Sequence, residues 1–268
     1  MASVSVLGCG WLGFPLVKKL LEKGYTVKGS TTTSSKIQEL EACGIEAYHI
    51  NLPAKNINKD FFKSEYVVIN IPPKTSNKGV NHHFDGIKSI IHHIKPPQKI
   101  IYISATSVYP KVDYPIKEEH ELDQQSERAQ ALIQTEQLLL NTFHSNLTVI
   151  RFGGLLGYDR IPGKYYAGKT LDQHEQKVNY IHRDDAVGII EAIIQQKRWG
   201  HILNGIAPKH PNKKQVFSKN AKDFNFPPPN FANTKQRLTN RIIESSKIEH
   251  ILDYSFIYPD PIDFFYTN

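Results

Sequence analysis

The first 150 residues alternate short apolar runs with helical patterns, and this alternation restricts the chain to few folds. Strands are predicted at 4–7, 26–29, 46–50, 66–71, 99–104 and 147–151. Helices are predicted at 11–23, 34–43, 80–94 and 126–143. Strands and helices that take turns along the chain build βαβ units, so we expect an α/β protein with a parallel sheet.

The pattern becomes less regular after Arg151. A glycine-rich FGGLLGYDRIPG, a strand-like KVNYI, a helix from about 183 to 196 and a strand HILNGI precede a proline-punctuated remainder. We therefore predict a Rossmann-type doubly wound sheet with a small C-terminal substrate lobe. The Rossmann core would comprise 1–155, completed by 176–205, and the lobe would comprise 156–175 and 206–268. The functional site is expected at the carboxyl ends of the strands.

The stretch VSVLGCGWLG places Gly8, Gly10 and Gly13 between the first predicted strand and the first predicted helix. In that context the glycines permit a tight turn, close approach of a pyrophosphate, and packing of the helix on the strand. The helix N-terminus adds amide donors for phosphates. The stretch thus predicts a dinucleotide site, and the alternative is a glycine turn that serves packing alone.

The residues that follow the second strand bear on the choice of cofactor. A NAD-preferring fold usually carries an acidic residue about 20 residues after the glycines. Here VKGSTTTSSK contains no acid, and the first acid that follows it is Glu39. The side chains that would suit a 2′-phosphate are four hydroxyls and one cation: Thr31, Thr32, Thr33, Ser34 and Lys36. NADP is therefore favoured over NAD.

Composition narrows the classes of ligand and compartment. The net charge is +7, and the segment 197–249 alone carries eleven Lys and Arg against three acids. A local basic excess suits an anionic ligand, and a small molecule is favoured over nucleic acid because aromatic platforms are not interleaved with the lysines. No apolar run reaches the roughly 20 residues of a membrane helix, so no membrane partner and a cytoplasmic location are expected. Cys9 and Cys43 cannot form a disulfide framework.

Two local features each admit a functional and a structural interpretation. Cys9 lies inside the glycine turn and could be a reactive thiol of low pKa, but a small side chain that fits a tight loop is the favoured interpretation. Four histidines, His82, His83, His92 and His93, occur in NHHFDGIKSIIHHIK. On a helix they are too far apart for one metal ion, so surface positions and no metal site are predicted.

Ordered motifs extend over most of the chain: GCGWLG, YISATSVYP, a helix ending in TEQLL, VIRFGGLLGYDR, YIHRDDAVGIIEA, HILNGIAPKHPNKKQVF, KQRLTNRI and DYSFIYPD. In this order they resemble the extended short-chain dehydrogenases/reductases, the NAD-dependent epimerase/dehydratase superfamily, and specifically its atypical members. The resemblance implies a core that binds NADP or NAD and a lobe that closes over a substrate, often a nucleotide sugar. It also implies that His182 and Asp185 tie that lobe to the core.

The same resemblance assigns cofactor contacts residue by residue. The pyrophosphate would be lined by Gly8, Gly10, Trp11, Leu12 and Gly13. The adenosine ribose would be met by the hydroxyls and lysine between Thr31 and Lys36. Ile71 and Pro72 would pass along the cofactor, and Ser104, Arg151 and Gly153 would approach its nicotinamide side.

The catalytic set of the family is missing here. Active members use a Ser or Thr, a Tyr and a Lys to polarise a substrate oxygen and move its proton. Four residues before Tyr109 stands Ala105, while Arg128 and Leu132 occupy the expected Tyr and Lys positions, with Glu136 as the anchor of the register. Tyr109, Ser107 and Arg128 are therefore the candidate replacements.

Two functions stay open at this point. One is an epimerase/dehydratase-like oxidoreductase acting on a small anionic substrate, which a nucleotide sugar would satisfy. The other is a non-catalytic NADP-dependent binding protein or redox sensor, suggested by Ala105, Arg128 and Leu132. Family members often form homodimers through a helix pair, and 126–143 is the candidate helix for that contact.

Overall fold

The computed structural model describes residues 1–54, 57–73, 81–232 and 240–267, and the side chain of Arg128 lies outside this description. The chain divides into two compact units. The core unit comprises Met1–Tyr109, Glu121–Arg151 and Val187–Leu203. The second unit comprises Pro110–His120, Phe152–Ala186 and Asn204–Asn268.

The strands and helices predicted over the first 150 residues follow one another in the expected order, and further short elements, most of them in the second unit, were not predicted. The strands are β1 (Ser3–Leu7), β2 (Thr26–Thr31), β3 (Glu46–His49), β4 (Tyr66–Ile69), β5 (Lys99–Ala105), β6 (Pro115–Ile116), β7 (Leu147–Phe152), β8 (Gly154–Leu156), β9 (Thr170–Leu171), β10 (Tyr180–His182), β11 (Ile202–Gly205), β12 (Asn230–Phe231) and β13 (Ile242–Ile243). The helices are α1 (Gly13–Glu22), α2 (Ser35–Ala42), α3 (Asn81–Lys88), α4 (Glu127–Phe143), α5 (Arg183–Gln196), α6 (Lys213–Asp223) and α7 (Ser246–Leu252).

Seven strands form one parallel sheet in the order β11-β7-β5-β4-β1-β2-β3. The order reverses between β1 and β4, which pair directly through Val4↔Tyr66 to Leu7↔Ile69. In a doubly wound sheet this reversal opens a crevice at the carboxyl ends of the two strands, where ligands bind. The predicted Rossmann-type fold is confirmed, and its crevice lies between the ends of β1 and β4.

The central strands are apolar on both faces because helices pack against them. β4 is buried along its whole length, and Leu16, Val17 and Leu20 form the buried stripe of α1, which packs on β1 and β2. Gly24 ends the helix with φ +82°, a conformation that glycine adopts without strain. This packing fixes the glycine turn that connects β1 to α1.

The second unit has short strand pairs and two apolar clusters of its own. β8 pairs with β10, β9 with β12 and β6 with β13, each in parallel. The buried members of the two clusters are Leu156, Ile161, Ala207, Phe264 and Tyr266, and Leu171, Val178, Val216 and Phe217.

The helix predicted at 80–94 is shorter than expected. The α-helix is Asn81–Lys88, and a 3-10 turn follows at Ile91–His93. The pattern of helical hydrogen bonds changes where Ser89 Oγ donates to the Gly86 carbonyl at 2.7 Å and the Ile90 amide donates to the Ile87 carbonyl at 3.0 Å.

Within the described residues, no helix has both the length and the apolar character needed to cross a membrane.

Candidate functional site

The glycine turn after β1 is held by polar groups from the two neighbouring strands. The Gly8 amide donates to Ser30 Oγ at 3.0 Å, and Asn70 Nδ2 donates to the Gly8 carbonyl at 2.9 Å. Gly8 has φ +106°, and a Cβ added there would overlap the Asn70 carbonyl oxygen. A Cβ added at Gly13 would overlap the Gly8 carbonyl oxygen. Glycine is thus required at both positions by the local backbone.

Gly10 is different, because a Cβ added there meets nothing within 4 Å. Packing therefore does not require glycine at this position, whereas close approach of a ligand would. The first turn of α1 contains no acidic residue, and the Leu12 position provides no side-chain cap for its amides. Such a helix N-terminus offers donors and a positive dipole end to a phosphate. The residues present fit a dinucleotide pyrophosphate.

The two side chains in this turn differ in exposure. Leu12 is buried, which anchors the start of the helix, and Trp11 is half-buried. Cys9 is also buried, and its sulfur lies where a Cβ on Gly29 would come within 2.8 Å. Burial raises the pKa of the Cys9 thiol to about 12, despite the opposing effects of the Ser30 backbone and Lys36. Cys9 fills space, in agreement with the favoured interpretation.

The residues predicted to meet the adenosine ribose follow β2. Thr31 is buried, and its Oγ1 accepts a hydrogen bond from the Thr33 amide at 3.1 Å. The remaining four, Thr32, Thr33, Ser34 and Lys36, are exposed around the start of α2. Because no acid stands among them, the loop can accept a 2′-phosphate without charge repulsion.

Ile71 and Pro72 follow β4 on the other side of the crevice. Ile71 is half-buried, and its Cγ1 lies 3.8 Å from where a Cβ on Gly8 would be, whereas Pro72 is exposed.

Sequence reasoning missed Ser30 and Asn70, which hold the glycine turn. A polar residue at the carboxyl end of a strand next to β1 is the signal that would have identified Asn70.

The carboxyl end of β5 leads into a buried polar network. Arg151 Nη2 lies 2.7 Å from Glu136 Oε2, and Arg151 Nη1 donates to the Tyr109 hydroxyl at 2.7 Å. Ser104 Oγ donates to Glu136 Oε1 at 2.5 Å. Burial acts to lower the pKa of Arg151, but the hydrogen bonds and charge of Glu136 outweigh burial and raise it. Three predicted site residues, Ser104, Tyr109 and Arg151, are thereby brought together around Glu136.

Tyr109 is only 1% exposed, and the Arg151 guanidinium also lies 5.0 Å from its ring centroid. Ser107 lies in the 3-10 turn between β5 and Tyr109, and its buried hydroxyl oxygen has no hydrogen-bond partner among the described residues. Arg128 belongs to the first turn of α4, but its side chain is outside the described part of the chain. The two described candidates therefore differ, because the Tyr109 hydroxyl is hydrogen-bonded to Arg151, whereas the Ser107 hydroxyl has no partner among the described residues.

Gly153 lies in the second unit, where a Cβ would overlap the Asn179 carbonyl oxygen. In the same unit Asp185 accepts hydrogen bonds from the amides of Ile257 and Tyr258 at 2.7 and 3.0 Å. His182 Nε2 lies 3.0 Å from the Phe265 carbonyl oxygen. His182 and Asp185 thus hold the C-terminal segment of the second unit, which is a structural role.

The histidines do not all lie at the surface. His83 is buried, and its Nε2 lies 2.8 Å from the hydroxyl of Tyr102, itself fully buried in β5. The surface prediction was wrong for His83 because one side of α3 packs toward the core. Within the described ranges no group of His, Cys, Asp or Glu could hold a metal ion.

Comparison with known proteins gives matches over most of the chain. Residues 3–143 match the family described as the NAD binding domain of 6-phosphogluconate dehydrogenase. The chain is 30% identical over 272 residues to protein YeeZ of Escherichia coli strain K12, with 98% of each chain covered.

Two solved structures share the fold. One is UDP-glucuronic acid 4-epimerase from Bacillus cereus in complex with NAD, with a TM-score of 0.81, 17% identity, and coverage of 98% of this chain and 95% of that one. The other is a short-chain dehydrogenase/reductase superfamily protein from Agrobacterium tumefaciens with bound NAD, with a TM-score of 0.80, 14% identity, and coverage of 96% and 93%.

Proposed function

The chain belongs to the family described as the NAD binding domain of 6-phosphogluconate dehydrogenase and to the family of protein YeeZ, and from this membership we propose that it is an atypical epimerase/dehydratase-like oxidoreductase. Its proposed substrate is a small anionic molecule, for which a nucleotide sugar is the leading class. The open space at Gly10, beside the uncapped amides of α1, is the observation that carries the proposal.

The cofactor would be held by backbone rather than by charged side chains. The amides of Gly10, Trp11 and Leu12 and the N-terminus of α1 would bind the pyrophosphate. Asn70 and Ser30 would keep this turn in place through their hydrogen bonds to Gly8. The nicotinamide cofactor, when bound, exchanges a hydride with a substrate carbon.

We further propose that NADP is preferred over NAD. The support is the loop after β2, which offers exposed hydroxyls and Lys36 to a 2′-phosphate and no carboxylate to a ribose diol. Lys36→Ala is expected to weaken NADPH binding while NADH binding stays within about twofold, because one charge-assisted contact is removed. Tighter binding of NADH than NADPH by the wild type would contradict the preference.

The proton step would involve the end of β5. In reduction of a substrate carbonyl, the Tyr109 hydroxyl would give its proton to the substrate oxygen as the carbon receives the hydride. Arg151, which already donates to Tyr109 Oη, would stabilise the negative charge left on that oxygen. Ser107 and Arg128 are the other candidates for contact with the substrate oxygen, and Arg128 would act only by its charge.

A second function is favoured by one observation. Tyr109 is buried, and its hydroxyl is already bound by Arg151, so the network is complete without a substrate. A protein that binds the cofactor and responds to its redox state needs no proton donor. The alternative is therefore a non-catalytic NADP-dependent binding protein or redox sensor.

The test measures binding and turnover on the same protein. NADPH and NADP⁺ affinities are determined by titration, and hydride transfer is followed at the nicotinamide absorbance with a panel of anionic sugars and nucleotide sugars. Tyr109→Phe keeps the ring and removes the proton. We expect its cofactor affinity to remain within about twofold and its turnover to fall by about 10²-fold or more, the usual contribution of general acid–base catalysis.

Each other outcome has a defined meaning. Turnover unchanged in Tyr109→Phe removes Tyr109 from the proton step and directs attention to Ser107→Ala and Arg128→Ala. Different affinities for NADPH and NADP⁺ without turnover on any substrate support the sensor. If the wild type binds neither NADPH nor NADH, the proposed function is overturned.

A further inference from the structure

Asn70 lies between the two glycines that shape the turn after β1. Its Nδ2 donates to the Gly8 carbonyl at 2.9 Å, and a Cβ added at Gly13 would come within 2.9 Å of the same nitrogen. The Asn70 backbone amide donates to the Leu7 carbonyl at 2.9 Å, directly after the paired residues of β1 and β4. The side chain of Asn70 is therefore fixed at the point where the strand order of the sheet reverses.

The hydrogen bond to Gly8 determines which end of the Asn70 amide group remains available. A backbone carbonyl only accepts hydrogen bonds, so the NH2 group must face Gly8 and Oδ1 must point away from that carbonyl. Oδ1 makes no hydrogen bond within the described part of the chain, and Asn70 is half-buried. Asn70 thus presents an oriented acceptor that no protein donor occupies.

We propose that Asn70 Oδ1 accepts a hydrogen bond from a hydroxyl of the nicotinamide ribose and positions that half of the cofactor. The inference rests on the proposed function, because it takes the dinucleotide as the ligand. It adds a direct contact with the cofactor to the hydrogen bond by which Asn70 holds the glycine turn.

The strand order indicates which half of the cofactor Asn70 meets. In the sheet, β1 lies between β2 and β4. The hydroxyls and Lys36 that are proposed to meet the adenosine follow β2, and the amides that are proposed to bind the pyrophosphate follow β1. A dinucleotide lies across the carboxyl ends of the strands. The half that carries nicotinamide therefore lies on the β4 side, where Asn70 is.

The chemistry of Oδ1 restricts which group of that half it contacts. An amide oxygen has no proton to donate, so it gains nothing from an ionised phosphate oxygen, which also only accepts. The ribose hydroxyls are the first donors beyond the pyrophosphate along this half of the cofactor. Ile71, the next residue, is half-buried and apolar, so its side chain offers Asn70 no competing donor.

Ser30 provides a matched control, because it holds the same turn from the opposite strand. Ser30 Oγ accepts from the Gly8 amide at 3.0 Å, and the Ser30 carbonyl accepts from the Cys9 amide at 2.7 Å. Ser30 is buried in β2, on the side of the adenosine. A substitution at Ser30 disturbs the turn but removes no acceptor from the nicotinamide side.

The test compares ligands that share the pyrophosphate and differ in the nicotinamide half. ADP, NADH and NADPH are titrated calorimetrically against the wild type, Asn70→Ala and Ser30→Ala, and circular dichroism verifies folding of the full chain. In Asn70→Ala, NADH and NADPH should bind about 5–10-fold more weakly beyond any change in ADP affinity, the effect of one lost hydrogen bond. In Ser30→Ala, the three affinities should change by the same factor to within about twofold.

Analogues of NADH whose nicotinamide ribose lacks the 2′- or the 3′-hydroxyl identify the donor. One analogue should bind the wild type about 5–10-fold more weakly than NADH does. Asn70→Ala should bind that analogue and NADH equally, because the contact is already absent. The wild-type measurement alone stays decisive if Asn70→Ala does not fold.

Each contrary outcome has a separate meaning. Equal weakening of ADP and NADH in Asn70→Ala would restrict Asn70 to the turn and overturn the inference, while the proposed function would stand. Wild-type affinities for both deoxy analogues equal to that for NADH would overturn it in the same way. A wild type that binds ADP but neither NADH nor NADPH would overturn the inference and the proposed function together.

Discussion

The glycine turn and the network around Tyr109 lie at the carboxyl ends of strands in the same sheet, yet they are built in opposite ways. At Gly10 there is open space, and the amides of α1 carry no side-chain cap. Around Tyr109 the phenol, guanidinium and carboxylate bind one another out of contact with water. A ligand would therefore add interactions at the turn, whereas the side chains of the network already bind one another.

This difference teaches which changes affect binding and which affect folding. We expect residues of the turn to contribute to the free energy of cofactor binding, because the start of α1 has no side-chain cap. A residue in the network contributes to the free energy of unfolding, because removal of one member leaves another buried and unpaired. The following predictions test this division in order of decreasing effect.

Glu136→Ala should have the largest effect. It leaves the buried Arg151 guanidinium without its carboxylate, which costs about 3–5 kcal/mol of unfolding free energy. Urea denaturation measures this loss. Gln137→Ala, at the exposed next position of α4, is the control and should change the unfolding free energy by less than about 0.5 kcal/mol. Equal stabilities of the two variants would show that the network does not hold the fold.

His83 and Tyr102 of β5 form a second buried polar contact, and its effect on the free energy of unfolding depends on pH. Burial, with a smaller effect of His82, lowers the pKa of His83 from 6.5 to about 4. As pH falls below 6.5, His83 becomes protonated in the unfolded chain but stays neutral in the folded chain. The stability present above pH 6.5 is therefore lost progressively down to about pH 4. The loss should reach about 3 kcal/mol.

Urea denaturation between pH 7 and pH 4 measures this dependence. His83→Gln should flatten the curve in that window, and His92→Gln, at an exposed position, should leave the wild-type slope. A wild-type slope retained by His83→Gln would assign the acid sensitivity to other groups.

Gly10→Ala tests the glycine turn. The added methyl meets no protein atom within 4 Å, so the free energy of unfolding should stay within about 0.5 kcal/mol of the wild type. Cofactor affinity should fall about tenfold or more, because the methyl occupies the space expected for the pyrophosphate. Gly13→Ala adds the same methyl against the Gly8 carbonyl and should lower stability as well. Full cofactor affinity in Gly10→Ala would show that the ligand does not approach this turn.

Ser107→Ala should have the smallest effect on stability. Its hydroxyl oxygen is buried without a partner in the described residues, so removal should change unfolding free energy by less than about 0.5 kcal/mol or raise it. Ser104→Ala is the comparison, since it removes a hydrogen bond to the Glu136 carboxylate and should cost about 1.5–3 kcal/mol. Lost turnover with full stability in Ser107→Ala would assign that hydroxyl to the substrate.

The sheet and the glycine turn could be predicted because their signals are local. Strand and helix periodicities are properties of neighbouring residues, and three glycines within six positions already specify a turn that follows a strand. Errors arose where a contact distant in sequence decided the outcome. His83 was predicted at the surface, because nothing in NHHFDGIKSIIHHIK indicates that its ring would be buried and hydrogen-bonded to the Tyr102 hydroxyl.

The residues of VSVLGCGWLG and the alternation after it are sufficient to specify a parallel sheet and a turn with room for phosphates, because adjacent backbone geometry produces both. The partnership of Tyr109 with Arg151 and Glu136 arises only on folding, since 42 and 15 positions separate Arg151 from its two partners. Burial makes that partnership strong, and burial is a property of the packed chain.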